Sequence, residues 1–447
     1  MSATDTAPAR SRRADQPVPA PLWQCVAPYL LFLAVAIGVV AFHLDKFPYV
    51  SPIDEGVHYD YIENLPHVPS GGEKMDQDAL RETACRTYGP DYPQALPPCG
   101  TTPYDPNTFP SQGFSTAGTT PPVYYAVTGV VARPLATVTS WSVWEISRGL
   151  GALWLAGLMS VCFLLARRLG APRFAAVGTS LLVGTSTDVV SSAATIGPDV
   201  ATAMGGGLVV LAAVAYDGSR RSSLLVLGSV LLASLMKFTA FTAVGAAIIV
   251  VLLVAWGHRH DDDRPRIGKV VVLAGGMFAV FGLSSFLWGL RYQATNIIDV
   301  DTIPMNLVFL SEEIRWADIN ATLYYTFVTP ITGNWNALFL DNFTNGRLEG
   351  VVVGVLVLGV LAAAFTWGRD WVVSGLGWGV VVLALLGPLM LTLLNFYANG
   401  LFFGIPPRYG FALLPAYAAA AAWTLRGAGA SRAIFVVGAL SVVSLFL

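Results

Sequence analysis

The sequence predicts an all-α polytopic membrane protein with about eleven transmembrane helices. Hydrophobic residues make up 54% of the 447 residues and charged residues only 12%, whereas soluble domains carry about 25% charged residues. The apolar residues are gathered in runs of about 20, the length that crosses a bilayer as a helix. Basic residues lie in short segments between these runs, as they do in cytoplasmic loops. The net charge of −2 provides no field that would attract nucleic acid.

The first predicted element is a tail over residues 1–22, whose Ala-, Pro-, Ser- and Arg-rich composition indicates disorder. Arg10, Arg12 and Arg13 place this tail in the cytoplasm by the positive-inside rule. The apolar run Val26–Leu44 follows and ends without a small-residue cleavage site. We therefore interpret it as a membrane anchor and not as a cleaved signal peptide.

A long polar loop over residues 45–147 comes next and is expected to face outside. Near its end, residues 121–138 are moderately apolar and begin with the motif Pro121-Pro122-Val123-Tyr124-Tyr125. A full span there would place the following cluster Arg167-Arg168 outside, against the positive-inside rule. We therefore expect 121–138 to form an interfacial or re-entrant helix.

The four cysteines divide into two pairs. Cys25 and Cys162 lie at or inside apolar segments and are expected to be small packing residues. Cys85 and Cys99 lie in the outer loop. They would form a disulfide if that loop faces an oxidising compartment, and would be two free thiols otherwise.

The remaining apolar runs alternate with basic clusters, which predict the rest of the topology. Residues 222–256 form one apolar stretch with basic residues at both ends, so we expect a hairpin whose turn lies near Lys237. A second outer loop is expected over residues 291–348, and residues 23–447 are expected to form one transmembrane domain. The predicted spans are Val26–Leu44, Arg148–Ala166, Phe174–Ala194, Val200–Ala215, the two arms of 222–256, Lys269–Leu290, Val351–Trp367, Trp371–Leu394, Phe411–Leu425 and 433–447.

Four short motifs occur in an order that is found in one superfamily of membrane enzymes. They are Pro52-Ile53-Asp54-Glu55-Gly56-Val57-His58 after the first span, Pro121-Pro122-Val123-Tyr124-Tyr125 at the end of the outer loop, Lys237-Phe238-Thr239 in the hairpin and Arg408-Tyr409 before a late span. Together, over most of the chain, they resemble the GT-C superfamily of membrane glycosyltransferases. The closest resemblance is to the bacterial membrane proteins of the DUF2142 family.

The resemblance implies a GT-C-like fold, with interfacial helices and an acidic pair in the large outer loop, and a sugar donor linked to a lipid phosphate. The sequence departs from the pattern in two ways. Gly56 stands where a proline often follows the acidic pair, which alters the turn. GT-C enzymes often carry a soluble outer domain after the last span, and none follows here. We therefore expect the outer loops or a partner protein to recognise the acceptor.

The acidic pair Asp54 and Glu55 would lie near the outer membrane face, where a carboxylate can take the proton from an acceptor hydroxyl. Adjacent carboxylates point in different directions, so only one is expected to be the base, and the resemblance favours Asp54. Glu55 would orient a sugar hydroxyl or hold a cation, and His58 would hydrogen-bond the carboxylates or the acceptor. The alternative is two solvated loop charges and a surface histidine. A divalent cation held by the three side chains is left open, because they form no specific metal signature.

Three further charges lie at the predicted outer ends of spans. Asp199 would belong to the site or cap the helix that follows it. Lys237 interrupts an apolar stretch, and would bind the donor phosphate or extend to the lipid headgroups. Arg408 would bind phosphate through paired hydrogen bonds or anchor a headgroup. The resemblance adds Tyr124 and Tyr409 to the expected substrate-binding residues.

The sequence therefore predicts an inverting glycosyltransferase of a bacterial inner membrane, with its active face outside. The donor would be a polyprenyl-phosphate sugar, and the acceptor a cell-envelope glycan, glycolipid or protein. P-loop, GxGxxG, HExxH and CxxC patterns are absent, which argues against nucleotide-driven or zinc chemistry. The alternatives are a transporter or lipid flippase for envelope precursors, and a non-catalytic scaffold built on the same fold.

Overall fold

The apolar runs of the sequence form α-helices in the computed structural model. The structure describes residues 22–51, 54–89, 95–260, 265–295, 346–399 and 407–447, together with Phe402 and a few residues between 313 and 323. The predicted tail therefore lies almost entirely outside the described residues, as does most of the predicted second outer loop.

Within the described residues the chain forms fifteen α-helices, of which α2 to α4 belong to the predicted first outer loop. Short 3-10 helices over Phe238–Ala240 and Pro407–Leu413 precede α10 and α14. The α-helices are α1 (Leu22–Lys46), α2 (Glu55–Glu63), α3 (Gln77–Arg86), α4 (Val123–Val138), α5 (Val143–Arg168), α6 (Arg173–Gly184), α7 (Thr187–Ala194), α8 (Asp199–Val214), α9 (Arg220–Ser234), α10 (Phe241–Gly257), α11 (Ile267–Thr295), α12 (Gly346–Ala364), α13 (Trp371–Asn399), α14 (Leu414–Thr424) and α15 (Ala428–Ser444).

Five stretches of the described helices are long and apolar enough to cross a membrane, and a sixth results if α6 and α7 are counted as one span. The apolar parts of α4, α8, α12 and α15 have only 10–17 residues. A straight span needs about 20. The described helices thus support a multi-pass membrane protein, but the predicted number of eleven spans is not confirmed. The five stretches are Val26–Lys46, Val143–Arg168, Phe238–Gly257, Ile267–Tyr292 and Trp371–Leu394.

Helix α5 begins earlier than the sequence predicts, at Val143 and not at Arg148. The reason is a capping box, in which the Ser142 hydroxyl accepts from the Glu145 N–H and the Glu145 carboxylate accepts from the Ser142 N–H. The first outer loop therefore ends at Ser142. Arg148 lies inside the helix and is buried, instead of marking its boundary.

The predicted span Phe174–Ala194 is bent by 64° where α6 ends and α7 begins. The Thr185 hydroxyl donates to the Leu181 carbonyl at 2.7 Å, and the Ser186 hydroxyl donates to the Val183 carbonyl at 2.8 Å. Hydroxyls that bond the preceding helical turn in this way compete with the regular backbone hydrogen bonds and bend the helix.

The helices pack around a shared hydrophobic core, to which α1, α5 to α8, α10 and α12 to α15 all contribute. Small residues allow the closest crossings. A Cβ atom at Gly438 of α15 would lie 2.6 Å from the carbonyl oxygen of Gly178 in α6, so a larger residue would separate the two helices. By contrast, α11 leaves large apolar residues such as Val272 and Phe278 exposed, which is typical of a helix that faces lipid.

The first outer loop has a hydrophobic core of its own. Tyr61 of α2 stacks on Tyr125 of α4 with ring centroids 3.9 Å apart, and Trp144 at the start of α5 is buried beside them. Cys85 in α3 forms a disulfide with Cys99. The loop is therefore a packed layer that includes three helices, in the region where the sequence predicts interfacial helices.

Candidate active site

A cavity of about 280 Å³, lined by many polar side chains, lies where the predicted first outer loop meets α7, the start of α8, the turn between α9 and α10, and the segment before α14. Ligand pockets are mostly apolar, so this lining favours a ligand with charged and hydrogen-bonding groups. The lining residues are Ser51, Asp54, His58, Thr116, Ala117, Thr119, Thr120, Asp188, Ser191, Ser192, Thr195, Ile196, Gly197, Asp199, Lys237, Phe238, Tyr292, Arg408 and Tyr409.

Asp54 presents an accessible carboxylate to this cavity. It is the N-cap residue of α2 and has a left-handed backbone, with φ 59° and ψ 9°. Its side chain makes no capping hydrogen bond and is 55% exposed. Oδ2 of Asp54 lies 3.8 Å from Nη2 of Arg408. The start of α2 therefore fixes the position of the carboxylate but forms no hydrogen bond with it.

Asp199 joins two cations that come from distant parts of the chain. Its Oδ1 lies 2.5 Å from Nζ of Lys237, and its Oδ2 lies 3.5 Å from Nε of Arg408. Lys237 is in the turn before α10, and Arg408 is in the 3-10 helix before α14. The predicted alternative of helix capping is not observed, because Pro198 is the N-cap residue of α8 and has no side-chain capping bond.

Lys237 is directed into the protein and not toward solvent. The residue is only 8% exposed, and Nζ lies 5.2 Å from the centre of the Tyr409 ring, a cation–π contact. Tyr409 itself lines the cavity. The stretch 222–256 breaks at Lys237, where the sequence predicts the turn of a hairpin.

His58 also lines the cavity, one turn after Asp54 in α2. Its Nδ1 lies 2.8 Å from the Tyr125 hydroxyl. Burial lowers the pKa of His58 to about 4, while the nearby acidic and basic residues act in opposite directions. The imidazole is therefore neutral at pH 7 and adds no positive charge to the site.

Glu55, the second member of the acidic pair, does not line the cavity. Its side chain is fully buried, and its oxygens accept from Nε and Nη2 of Arg148 at 2.7 and 2.6 Å. They also accept from the backbone N–H groups of Ile196 at 3.0 Å and Ser51 at 2.7 Å. Four donors occupy this carboxylate, so Glu55 is held away from the cavity, in contact with Arg148 and the turn before α8.

Tyr124 likewise lies behind the cavity wall and not in it. Its hydroxyl accepts from the backbone N–H of Gly197 at 3.0 Å, and the residue is 2% exposed. Gly197 lies in the turn that leads into Asp199. Tyr124 therefore holds the turn that leads into Asp199, and its predicted contact with a substrate stays a prediction.

Sequence reasoning missed two charged residues. Asp188 in α7 is buried and lines the cavity, and Arg148 is the partner of Glu55. Each is a charge within or at the end of an apolar run, the same signal that identifies Lys237. The bend before α7 places Asp188 in the cavity wall, and no pattern in the sequence predicts this bend.

The divalent cation that the sequence leaves open is not supported by the described side chains. Among the residues that the structure describes, no group of three His, Cys, Asp or Glu side chains is placed to hold a metal ion. Carboxylates line the cavity, but Lys237 and Arg408 lie against the two oxygens of Asp199 and would repel a third cation there.

No protein-family model matches the chain, and no curated protein matches it. The resemblance to the DUF2142 family therefore stays a prediction.

Solved structures align with most of the chain. ArnT from Cupriavidus metallidurans, bound to undecaprenyl phosphate, is 16% identical with a TM-score of 0.45, over 90% of this chain and 60% of that one. The archaeal oligosaccharyltransferase AglB from Archaeoglobus fulgidus, in complex with an inhibitory peptide and a dolichol-phosphate, is 12% identical with a TM-score of 0.47, over 91% of this chain and 50% of that one. The apo form of the A. fulgidus oligosaccharyltransferase is 13% identical with a TM-score of 0.49, over 90% of this chain and 50% of that one. The chain spans only 50–60% of the length of these proteins.

Proposed function

We propose that this protein is an inverting membrane glycosyltransferase, which moves a sugar from a polyprenyl-phosphate donor to a hydroxyl group of a cell-envelope acceptor. The proposal rests on one observation, the accessible carboxylate of Asp54 beside the cations Lys237 and Arg408 in one polar cavity. The reaction needs a base for the acceptor hydroxyl and positive charge for the leaving phosphate.

In the proposed reaction, the acceptor oxygen attacks the anomeric carbon from the side opposite the phosphate. The new C–O bond forms as the bond from that carbon to the phosphate oxygen breaks, which inverts the configuration. Asp54 takes the hydroxyl proton. The phosphate leaves with the bonding electron pair, and Lys237 and Arg408 stabilise its charge.

The other predicted residues have supporting roles in this proposal. Asp199 holds Lys237 and Arg408 together before the donor phosphate arrives and shares them with it afterwards. Glu55 and Tyr124 are positioning residues, because both bond the turn that leads into Asp199. His58 has Nδ1 beside Tyr125, which leaves Nε2 for the sugar or the acceptor.

The acceptor is proposed to be a glycan, glycolipid or protein on the outer face of a bacterial inner membrane. The outer loops or a partner protein would recognise it. A transporter or flippase for the same lipid would also use the phosphate-binding cations, but it would not need the carboxylate of Asp54 as a base. The two functions therefore differ in the expected effect of losing that carboxylate.

The test is a transfer assay with purified protein in detergent, radiolabelled polyprenyl-phosphate sugars and an envelope lipid fraction as acceptor. Asp54→Asn is expected to lower transfer by about 100-fold or more, because general base catalysis contributes at least that much. Donor binding should persist in this variant. Asp78→Asn is the matched control, since Asp78 is an exposed carboxylate of the same outer loop. Unchanged transfer in Asp54→Asn would contradict the assignment of the base. Movement of the lipid across vesicles without any transfer would favour the transporter.

A further inference from the structure

The cavity contains more uncharged hydroxyls than the binding of a phosphate requires. Seven of its nineteen lining residues are Ser or Thr, and five are charged. The hydroxyl residues come mainly from two segments, residues 116–120 of the first outer loop and residues 191–195 at the end of α7. A groove for a lipid tail would be apolar, so this lining fits a ligand that carries many hydrogen-bonding groups without charge.

Two of these hydroxyls are available to a ligand. Oγ1 of Thr116 and Oγ of Ser192 make no hydrogen bond within the part of the chain that the structure describes. Their neighbours differ, because the Thr119 and Thr195 hydroxyls each donate to a backbone carbonyl at 3.0 Å. A hydroxyl can donate one hydrogen bond and accept two, which are the same capacities as those of a sugar hydroxyl.

The charges in the cavity disfavour an acidic sugar. Among the residues that the structure describes, three carboxylates and two cations line it, namely Asp54, Asp188 and Asp199 with Lys237 and Arg408. A donor phosphate adds further negative charge, so a carboxylate on the sugar would enter a site that already has a negative excess. The volume of about 280 Å³ is also small, since pockets for drug-sized ligands begin at roughly 300 Å³.

We propose that Thr116 and Ser192 form the sugar subsite of the cavity, and that the transferred group is a single neutral sugar. This inference rests on the proposed function and names the class of sugar and the residues that recognise it. The phosphate would bind to Lys237 and Arg408, so binding of the phosphate and binding of the sugar should be separable by mutation.

The experiment compares the dissociation constants of polyprenyl phosphate and of polyprenyl-phosphate hexose for the purified full-length protein. The dissociation constant of polyprenyl phosphate divided by that of polyprenyl-phosphate hexose measures how much the sugar adds to the affinity. Thr116→Val and Ser192→Ala should each lower this ratio by about 2- to 10-fold, the range for one hydrogen bond. Neither should change the affinity for polyprenyl phosphate itself. Ser229→Ala is the matched control, because Ser229 lies in α9 outside the cavity lining.

The outcomes separate this inference from the proposed function. If neither lipid binds the wild-type protein, the proposed function fails. If both lipids bind, but the sugar adds nothing or its contribution is the same in Thr116→Val and Ser192→Ala, the sugar subsite is wrong. Tighter binding of a polyprenyl-phosphate hexuronic acid than of the hexose would overturn the neutral sugar.

Discussion

Glu55 and Arg148 form a buried two-point ion pair, although 93 residues separate them in the chain. The guanidinium Nη2 also donates to the Tyr49 carbonyl at 2.6 Å, and the carboxylate also accepts from Ile196. One ion pair thus connects the end of α1, the start of α2, the second turn of α5 and the turn before α8. These are the segments that hold the cavity wall around Asp54 and Asp199.

Arg148→Met should lower the free energy of unfolding by about 3–5 kcal/mol, because it leaves the buried charge of Glu55 without a partner. Arg81→Met is the matched control, since Arg81 pairs with Asp78 at the surface with both side chains more than half exposed. Such surface pairs contribute about 0–1 kcal/mol. Thermal unfolding in detergent measures both variants. Equal shifts would show that the buried pair contributes no more than the exposed one.

Lys237→Met should weaken binding of polyprenyl phosphate by about 10- to 100-fold, because a hydrogen bond from a charged donor is lost. Lys237→Arg keeps the charge and should restore part of the affinity. Lys269→Met, at an exposed position near the start of α11, is the control and should bind as the wild type does. An unchanged affinity in Lys237→Met would remove Lys237 from the phosphate site.

Asp60 in the first outer loop should make stability depend on pH. Burial raises the pKa of Asp60 from 3.8 to about 6, although the Ser115 hydroxyl and the Asp76 N–H donate hydrogen bonds to its carboxylate. The folded state therefore holds this proton more tightly than the unfolded state does. As a result, the contribution of Asp60 to stability is greatest below pH 3.8 and is lost as the pH rises through 6.

When the pH falls from 7 to 5, the free energy of unfolding should change more favourably in the wild type than in Asp60→Asn, by about 1 kcal/mol. The reason is that the variant has no carboxylate to protonate at this position. Unfolding curves of both proteins at the two pH values measure this difference. Asp78→Asn should keep the pH dependence of the wild type. A parallel pH dependence in Asp60→Asn would contradict the raised pKa.

Cysteine labelling tests the predicted topology. In a Cys25→Ser background, a cysteine at exposed His67 should react with a membrane-impermeant maleimide in intact cells, whereas one at exposed His260 should react only after permeabilisation. The native thiols should add little background, because Cys85 and Cys99 form a disulfide and Cys162 is buried. The reverse pattern would place the cavity on the cytoplasmic side.

Much of the candidate site was predictable because its residues are charges in apolar surroundings. Lys237 and Arg408 stand out for this reason, and the structure brings both to Asp199. The sequence could not predict that Asp54 is exposed to the cavity while Glu55 is buried. Both are carboxylates in one turn, and only the partner Arg148, far away in sequence, shows which of them is buried.

The fold was predictable to a similar degree. Runs of apolar residues predict helices, and most helix positions agree with those runs. The number of spans was not predictable from hydropathy alone, because α8 has only 16 residues and α15 only 17, fewer than the about 20 of a typical straight span. The bend between α6 and α7 depends on the hydroxyls of Thr185 and Ser186, which do not alter the apolar pattern.

The left-handed backbone of Asp54 limits which amino acids can replace it. Most residues with a Cβ atom incur about 1–2 kcal/mol of steric cost in this conformation, while Gly, Asn and Asp tolerate it. Of these three, only Asp carries a carboxylate. Glutamate would keep the charge but would strain the turn and extend further toward Arg408. The exchange of Asp for Glu, which is conservative at most positions, is therefore unfavourable here for reasons of backbone geometry, independently of any role in proton transfer.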